Sequence, residues 1–306
     1  MTAPGIPNEY ALSSSCFGAR LPNIADQIFA AVGMGFRRLE LGRTDAPPAM
    51  DGLDDARSET GIELIGLVAG CRDVLGKDMP ATQLASLDED RRRRAINSVR
   101  RHARLANDWK CPRVIVRGSQ VENNALQAEA RSFEQEVAER GLNSDLLDRL
   151  APFVVRMQKA GQEQIQHLCR SLHEIMQAFP DVEFALEPGR ALDDLLGIQA
   201  MGWVLDDLQR QKLGYWHDVG RIHQRERLGL PTQSDWLDRF AQRLIGVHLS
   251  DAAEGETGMP LGLGAVDFKL LREALPKTAE KVVDVHHKHG RAEILTSVQF
   301  LLDRGF

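Results

Sequence analysis

Apolar positions along the chain fall into short runs separated by longer amphipathic stretches. Eight runs stand out, at 10–16, 35–42, 62–70, 112–118, 182–189, 212–220, 243–251 and 281–287. Runs of this length, flanked by glycine, proline and aspartate, predict buried strands. Between them, apolar residues recur three and four apart, the period of a helix with one buried face. LPNIADQIFAAVGMG is such a stretch, with Asn23 as its cap. Residues 90–108 predict a basic amphipathic helix, and RAEILTSVQFLLDRGF a last helix closing the chain. DFKLLREALP starts on Asp267, a good N-cap. Residues 145–180 are helical in pattern, with a break at Pro152.

Strands that alternate with helices imply a parallel sheet, because parallel neighbours need a crossover between them. Eight such units in 306 residues match an α/β chain folded as one (β/α)8 TIM barrel, a single domain over 1–306. The runner-up is an open doubly wound sheet, but no G-x-G-x-x-G follows the first strand. The oversize connection at 119–181 predicts extra helix between the fourth and fifth strands. It serves either as a lid or oligomer contact or as a plain surface insertion, and the sequence leaves both open.

In such a barrel the chemistry sits at the C-terminal ends of the strands. The residues at those ends are Glu40, Arg117, Glu187 followed by Arg190, Asp218 followed by Arg221, His248 followed by Asp251, and Asp284 followed by His286. Carboxylate, carboxylate, imidazole and carboxylate on the last four ends form a cluster that needs a cation, since buried unpaired charge is costly. The mixed O and N donors suit Mn²⁺, Mg²⁺, Co²⁺, Fe²⁺ or Zn²⁺, with no thiolate to favour a softer metal. The sixth run, GYWHDVGRIH, offers four candidates. Side chains alternate along a strand, so His217 and Asp218 cannot both face the barrel axis. If Asp218 points inward, Trp216 does too, either as an apolar wall for a ligand or as core. His217 is then a packed histidine behind the site. His223 is expected to be an exposed loop residue.

The phrases FALEPG, YWHDVG, IGVHLSD and GLGAVDF, in this order and spacing, resemble the xylose-isomerase-like TIM-barrel superfamily of sugar and sugar-phosphate isomerases and epimerases. Hydroxypyruvate isomerase, ketose 3-epimerases, inosose dehydratase and endonuclease IV are relatives there. The resemblance covers the whole chain, with its specific motifs between about 180 and 270. It implies one divalent ion held by Glu187, Asp218, His248 and Asp284, with Glu187 and Asp284 also moving protons on either side of the substrate carbon. It places Asp251 three residues after the strand-seven histidine, as the family pattern has it. Two departures stand out. The family pattern D-x-G-H is here D-V-G-R, with Arg221 where a substrate-contacting histidine is expected. On the last strand Asp284 replaces a glutamate, and His286, on the same face, is a substitute acid/base or substrate contact.

Arg221, Arg190 and Arg117 around one mouth suggest an anionic substrate, since a guanidinium grips carboxylate or phosphate with two N–H groups. Arginines in such places also pair with structural carboxylates, as Glu40 or Asp193 would allow. Three functions compete. The first is an isomerase or epimerase that forms an enediolate from a polyhydroxy substrate, with a dehydratase or lyase as its variant. The second is a phosphodiesterase of the endonuclease IV type, disfavoured because the third and fourth strands end without histidine. The third is a degenerate barrel that binds a small molecule or a partner.

Bulk properties change little. A net charge of −6 argues against a nucleic-acid footprint. The run Arg91 to Arg94 follows three acids and reads as a solvated helix face. Four scattered cysteines fit a reducing compartment. No segment approaches the roughly 20 apolar residues of a membrane span. The opening MTAPGIPNEY lacks a signal-peptide pattern, so a cytoplasmic location is expected. By fold analogy a homo-oligomer is allowed. Phe29, Trp203, Trp236 and Phe240 are expected in the core. Gly258, Gly262 and Gly264 are expected to shape a close-packed loop that touches the ligand.

Overall fold

The computed structural model describes residues 5–73 and 80–306, so the first four residues of the MTAPGIPNEY opening lie outside the described residues. All eight expected strands form, each shorter than its apolar run. They are β1 (Tyr10–Ser13), β2 (Arg38–Leu41), β3 (Glu63–Val68), β4 (Arg113–Arg117), β5 (Glu183–Glu187), β6 (Leu213–Asp218), β7 (Leu244–Leu249) and, after a hairpin of β8 (Asp251–Ala253) and β9 (Glu256–Met259), β10 (Glu280–Val283). The eight long-range strands pair in parallel and close a barrel, with β10 seated between β7 and β1. This is the TIM barrel, and the doubly wound alternative is set aside.

Helices α1 (Ile24–Met34), α2 (Leu53–Thr60) and α3 (Glu89–Asp108) follow the first three strands. Asn23 caps α1 by accepting from the Ala25 N–H at 2.7 Å, and Gly35 ends the helix at φ 108, a left-handed conformation that suits glycine. The long connection holds α4 (Asn124–Arg140), α5 (Ser144–Ala160) and α6 (Gln162–Ala178). The rest are α7 (Ile198–Asp207), α8 (Val219–Arg227), α9 (Gln233–Phe240), α10 (Phe268–Ala274), which Asp267 caps as expected, and α11 (Arg291–Asp303). Among the described residues no helix is long and apolar enough to cross a membrane.

The break expected at Pro152 falls instead at Gly161, between α5 and α6. Pro152 and Asp148, whose carbonyl loses its partner, are both exposed, so that carbonyl is open to solvent and the helix runs through. Gly161 presses on the loop after β5, where a Cβ would meet Leu195 Cδ1 at 2.6 Å. Trp236 and Phe240 are buried as expected, but Phe29 and Trp203 are 43% and 45% exposed, a correction to their assignment to the core.

The inside of the barrel is filled by Ala11, Ile65, Val68, Ile115, Ala185, Trp216 and Val282. Trp216 fits because its register partner on β7 is Gly246. A Cβ on Gly246 would lie 2.2 Å from the indole ring, so large and small residues complement each other across one pair of strands. This layer closes the barrel beneath the strand ends.

Candidate active site

The site follows from a step of two along each strand. Ile115, Ala185, Trp216 and Val282 point into the barrel, so Arg117, Glu187, Asp218 and Asp284 point the same way one layer higher. Register brings them together. Arg117 is the partner of Glu187, Asp218 of His248, and Ser13 of Glu40.

His248 is at the centre. Its Nδ1 lies 2.5 Å from Glu187 Oε1, and its Nε2 lies 2.9 Å from Glu40 Oε2, all three residues being buried. Both ring nitrogens face carboxylate oxygens, which can only accept, so both carry protons. Burial opposes the charged imidazolium, but Glu40 and Glu187 outweigh it and raise the histidine well above its usual range. Glu40, known from the sequence only as a strand-end carboxylate, is thus part of the site. Its Oε1 also accepts from Ser13, and Ser15 Oγ lies against both Ser13 Oγ, at 2.9 Å, and Asp284 Oδ1, its one hydroxyl proton serving one of them at a time. A line of hydroxyls therefore joins the last strand's carboxylate to the centre.

Glu187 accepts from Arg117 Nε, and Arg221 Nε stands 4.0 Å from the same oxygen. Burial would raise this carboxyl, but Arg117, Arg221 and His248 together hold it well below the usual carboxylate range. Asp218 is taken on both oxygens by one residue: Oδ1 accepts from the Arg221 backbone N–H at 2.9 Å and Oδ2 from its Nε at 2.7 Å. The first of these bonds caps α8. Three carboxylates (Glu40, Glu187, Asp218) face three cations (Arg117, Arg221, His248). Removing one partner from a buried pair of this kind costs about 3–5 kcal/mol, because it strands the other charge.

Above this layer opens a cavity of about 980 Å³. Its lining includes Arg117, Arg190, Arg221, Asp218, Asp284 and His286, so the three arginines expected around one mouth do share it. Arg190 is exposed at the rim, and Arg117 and Arg221 lie deeper. Asn124 and Gln127 of α4 form part of the wall, so the insertion reaches the cavity. His286 is exposed at the mouth, its backbone N–H donating to Gly258 of the hairpin. Burial of its ring, with His287 and Lys288 beside it, lowers its pKa, which favours the neutral form. Arg91 also reaches the cavity; Arg92 turns to Ser86 and His167, and Arg93 to Glu89.

Other expected residues sit elsewhere. Trp216 is fully buried beneath His248, with ring centroids 5.2 Å apart, and does not line the cavity. It is a floor, because the inward position two residues below Asp218 is already inside the packed barrel. His217 faces outward between Tyr215 Oη at 2.8 Å and Gln233 Oε1 at 2.6 Å, and burial pushes its pKa down to about 4. His223 is half-buried on α8, a correction to the exposed loop expected for it, because the helix starts earlier, at Val219. Asp251 is buried and accepts from the backbone N–H groups of Ala252, Gly262 and Val266. It shapes the loop through these three bonds. Sequence reasoning missed Asp194, a cavity-lining acid that burial pushes up to about 6. Two adjacent aspartates after a barrel strand were the available signal.

Glu187, Asp218 and His248 each offer a ligand atom, and the three atoms lie within 4.8 Å of one another. A buried O, O, N trio without thiolate fits a divalent ion and leaves coordination positions open for a substrate. Asp284 is not in this group; it is tied to Ser15 instead. As a ligand, His248 must first release one ring proton.

Comparison with known proteins comes to the same barrel. Solved structures of similar fold include the 3-keto-D-glucoside 4-epimerase of E. coli, at a TM-score of 0.65 and 14% identity, covering 97% of this chain and 100% of that one. The D-allulose 3-epimerase of Methylomonas sp., solved with D-allulose, has a TM-score of 0.65 and 14% identity, with 99% of each chain covered. The IOLI protein, solved with a bound zinc atom, has a TM-score of 0.60 and 13% identity, covering 96% and 97%. At these identities the likeness is one of fold. No curated protein matches the chain. Residues 28–304 match the family described as Xylose isomerase-like TIM barrel, and the chain belongs to that family.

Proposed function

We propose that the chain is a divalent-ion-dependent isomerase or epimerase of a polyhydroxy ketone, aldehyde or acid, with an anionic substrate favoured. One observation carries this reading: the Glu187, Asp218 and His248 ligand atoms lie within 4.8 Å of one another, and Asp218 among them lines a polar cavity of about 980 Å³. The similar structures named as epimerases of D-allulose and of a 3-keto-D-glucoside support the substrate class.

Removal of a carbon-bound proton beside a carbonyl puts one negative charge on the former carbonyl oxygen, next to the neighbouring hydroxyl. A divalent ion on Glu187, Asp218 and His248 would supply electrostatic stabilisation of that charge. Glu187 would take the proton on one side. While Arg117 and Arg221 hold it, it is a weak base, so substrate must draw a guanidinium away for it to act. Asp284, hydrogen-bonded to Ser15, or His286, at the mouth, would serve the other side. Arg190 and Arg221 would bind a carboxylate or phosphate of the substrate. Trp216 and the layer beneath it keep water from entering below.

The test is exchange of a carbon-bound proton with D₂O, followed by NMR, over neutral ketoses and sugar acids in the presence of Mn²⁺. Exchange with at least one substrate, reduced by about 10²–10⁴ in Glu187→Gln, supports the reading. Exchange that is unchanged in Glu187→Gln would overturn it.

A further inference from the structure

The acidic groups that would hold an ion are already held. Arg221 places its Nε 2.7 Å from Asp218 Oδ2 and 4.0 Å from Glu187 Oε2, so one guanidinium is shared by both carboxylates of the trio. Arg117 differs, since among the described residues its ion pair is with Glu187. We propose that Arg221 is a gate on the ion site: its guanidinium competes with a divalent ion for Asp218 and Glu187 and leaves them when an anionic group of the substrate offers a new partner. This rests on the ion-dependent reading above and adds a control to it.

The physical case is short. An ion bound by Asp218 and Glu187 would share their oxygens with a guanidinium, and two cations a few ångströms apart in a buried site repel strongly. The guanidinium has room to move, because Arg221 lines the cavity and its side chain is 24% exposed. Its backbone need not move. The Arg221 N–H remains fixed on Asp218 Oδ1 as the cap of α8, so rotation of the side chain alone opens the gate. Displaced, the fork points into a cavity where Arg190 adds a second positive charge, and an anion there satisfies both. Ion and anion therefore tighten each other's binding, as coupled ligands must.

The experiment is a titration of the purified protein with Mn²⁺, with free ion read by EPR, in the unaltered chain, Arg221→Gln and Arg221→Lys. Glutamine keeps an N–H donor for Asp218 without the charge. The expected result is at least tenfold tighter Mn²⁺ binding in Arg221→Gln, with Arg221→Lys close to the unaltered chain. Equal or weaker binding in Arg221→Gln overturns the gate while leaving the ion site standing. No Mn²⁺ binding in either chain at millimolar ion overturns both. A second measurement needs no variant: sodium formate, which offers a carboxylate and chelates poorly, should tighten Mn²⁺ binding several-fold in the unaltered chain. An unchanged affinity with formate counts against the gate even if Arg221→Gln fails to fold.

Discussion

Asp218 and Arg221 are joined twice, once through the backbone N–H that caps α8 and once through Nε. The aspartate proposed as an ion ligand is therefore also the start of a helix and the anchor of a guanidinium. Replacing Arg221 with histidine keeps the cap and removes the fork. On the proposed function, Arg221→His raises KM for anionic substrates about tenfold, the loss of one charge-assisted contact of about 1.4 kcal/mol, and leaves KM for neutral keto-sugars unchanged. Steady-state kinetics on one substrate of each kind checks this, and an equal KM for the anion would argue against it.

Gly246 and Trp216 predict a packing effect remote from chemistry. A Cβ on Gly246 would lie 2.2 Å from the indole, and neither strand can yield inside a closed barrel. Gly246→Ala should cost about 1–3 kcal/mol in urea denaturation, and adding Trp216→Phe should recover part of it. A silent Gly246→Ala would mean that the floor is loosely packed.

His217 predicts a pH dependence of stability. Its folded pKa is pushed down to about 4, by burial first, from the 6.5 usual for a histidine in water. Between those values the unfolded chain binds a proton that the folded chain refuses. Stability from this group is complete above about pH 6.5 and falls as pH drops toward 4, by about 3 kcal/mol. Denaturation midpoints at pH 7 and pH 4.5 should diverge less in His217→Gln than in the unaltered chain. An equal divergence would assign the acid sensitivity to other groups.

Asp251 predicts a local effect. Three backbone N–H groups lose their acceptor in Asp251→Ala, that of Ala252 buried and those of Gly262 and Val266 partly buried. The segment 252–266 should become sensitive to limited proteolysis while the barrel melts at nearly its original temperature. Unchanged cleavage would show that the loop is held by other contacts.

Much of this was legible in the sequence, for identifiable reasons. All eight strands are buried on both faces, so each is a continuous apolar run, the strongest signal such a chain carries. The alternation that placed Asp218 inward and His217 outward follows from strand geometry alone. What sequence could not show was pairing across distance. Nothing in a one-dimensional reading puts Glu40 against His248, 208 residues away, or ties Asp284 to Ser15. Arg221 was expected to reach for substrate, and its double hold on Asp218 depends on α8 starting at Val219, where a loop was expected. Phe29 and Trp203 were misplaced because periodicity finds a helix's apolar stripe but not its edge.

The most direct test of the ion site is metal content after equilibrium dialysis against millimolar Mn²⁺, measured by elemental analysis. The unaltered protein should retain about one ion per chain, and Asp218→Ala and His248→Ala should retain none while circular dichroism shows the barrel intact. An ion content unaffected by either substitution, or no ion in any of the three, would contradict the account.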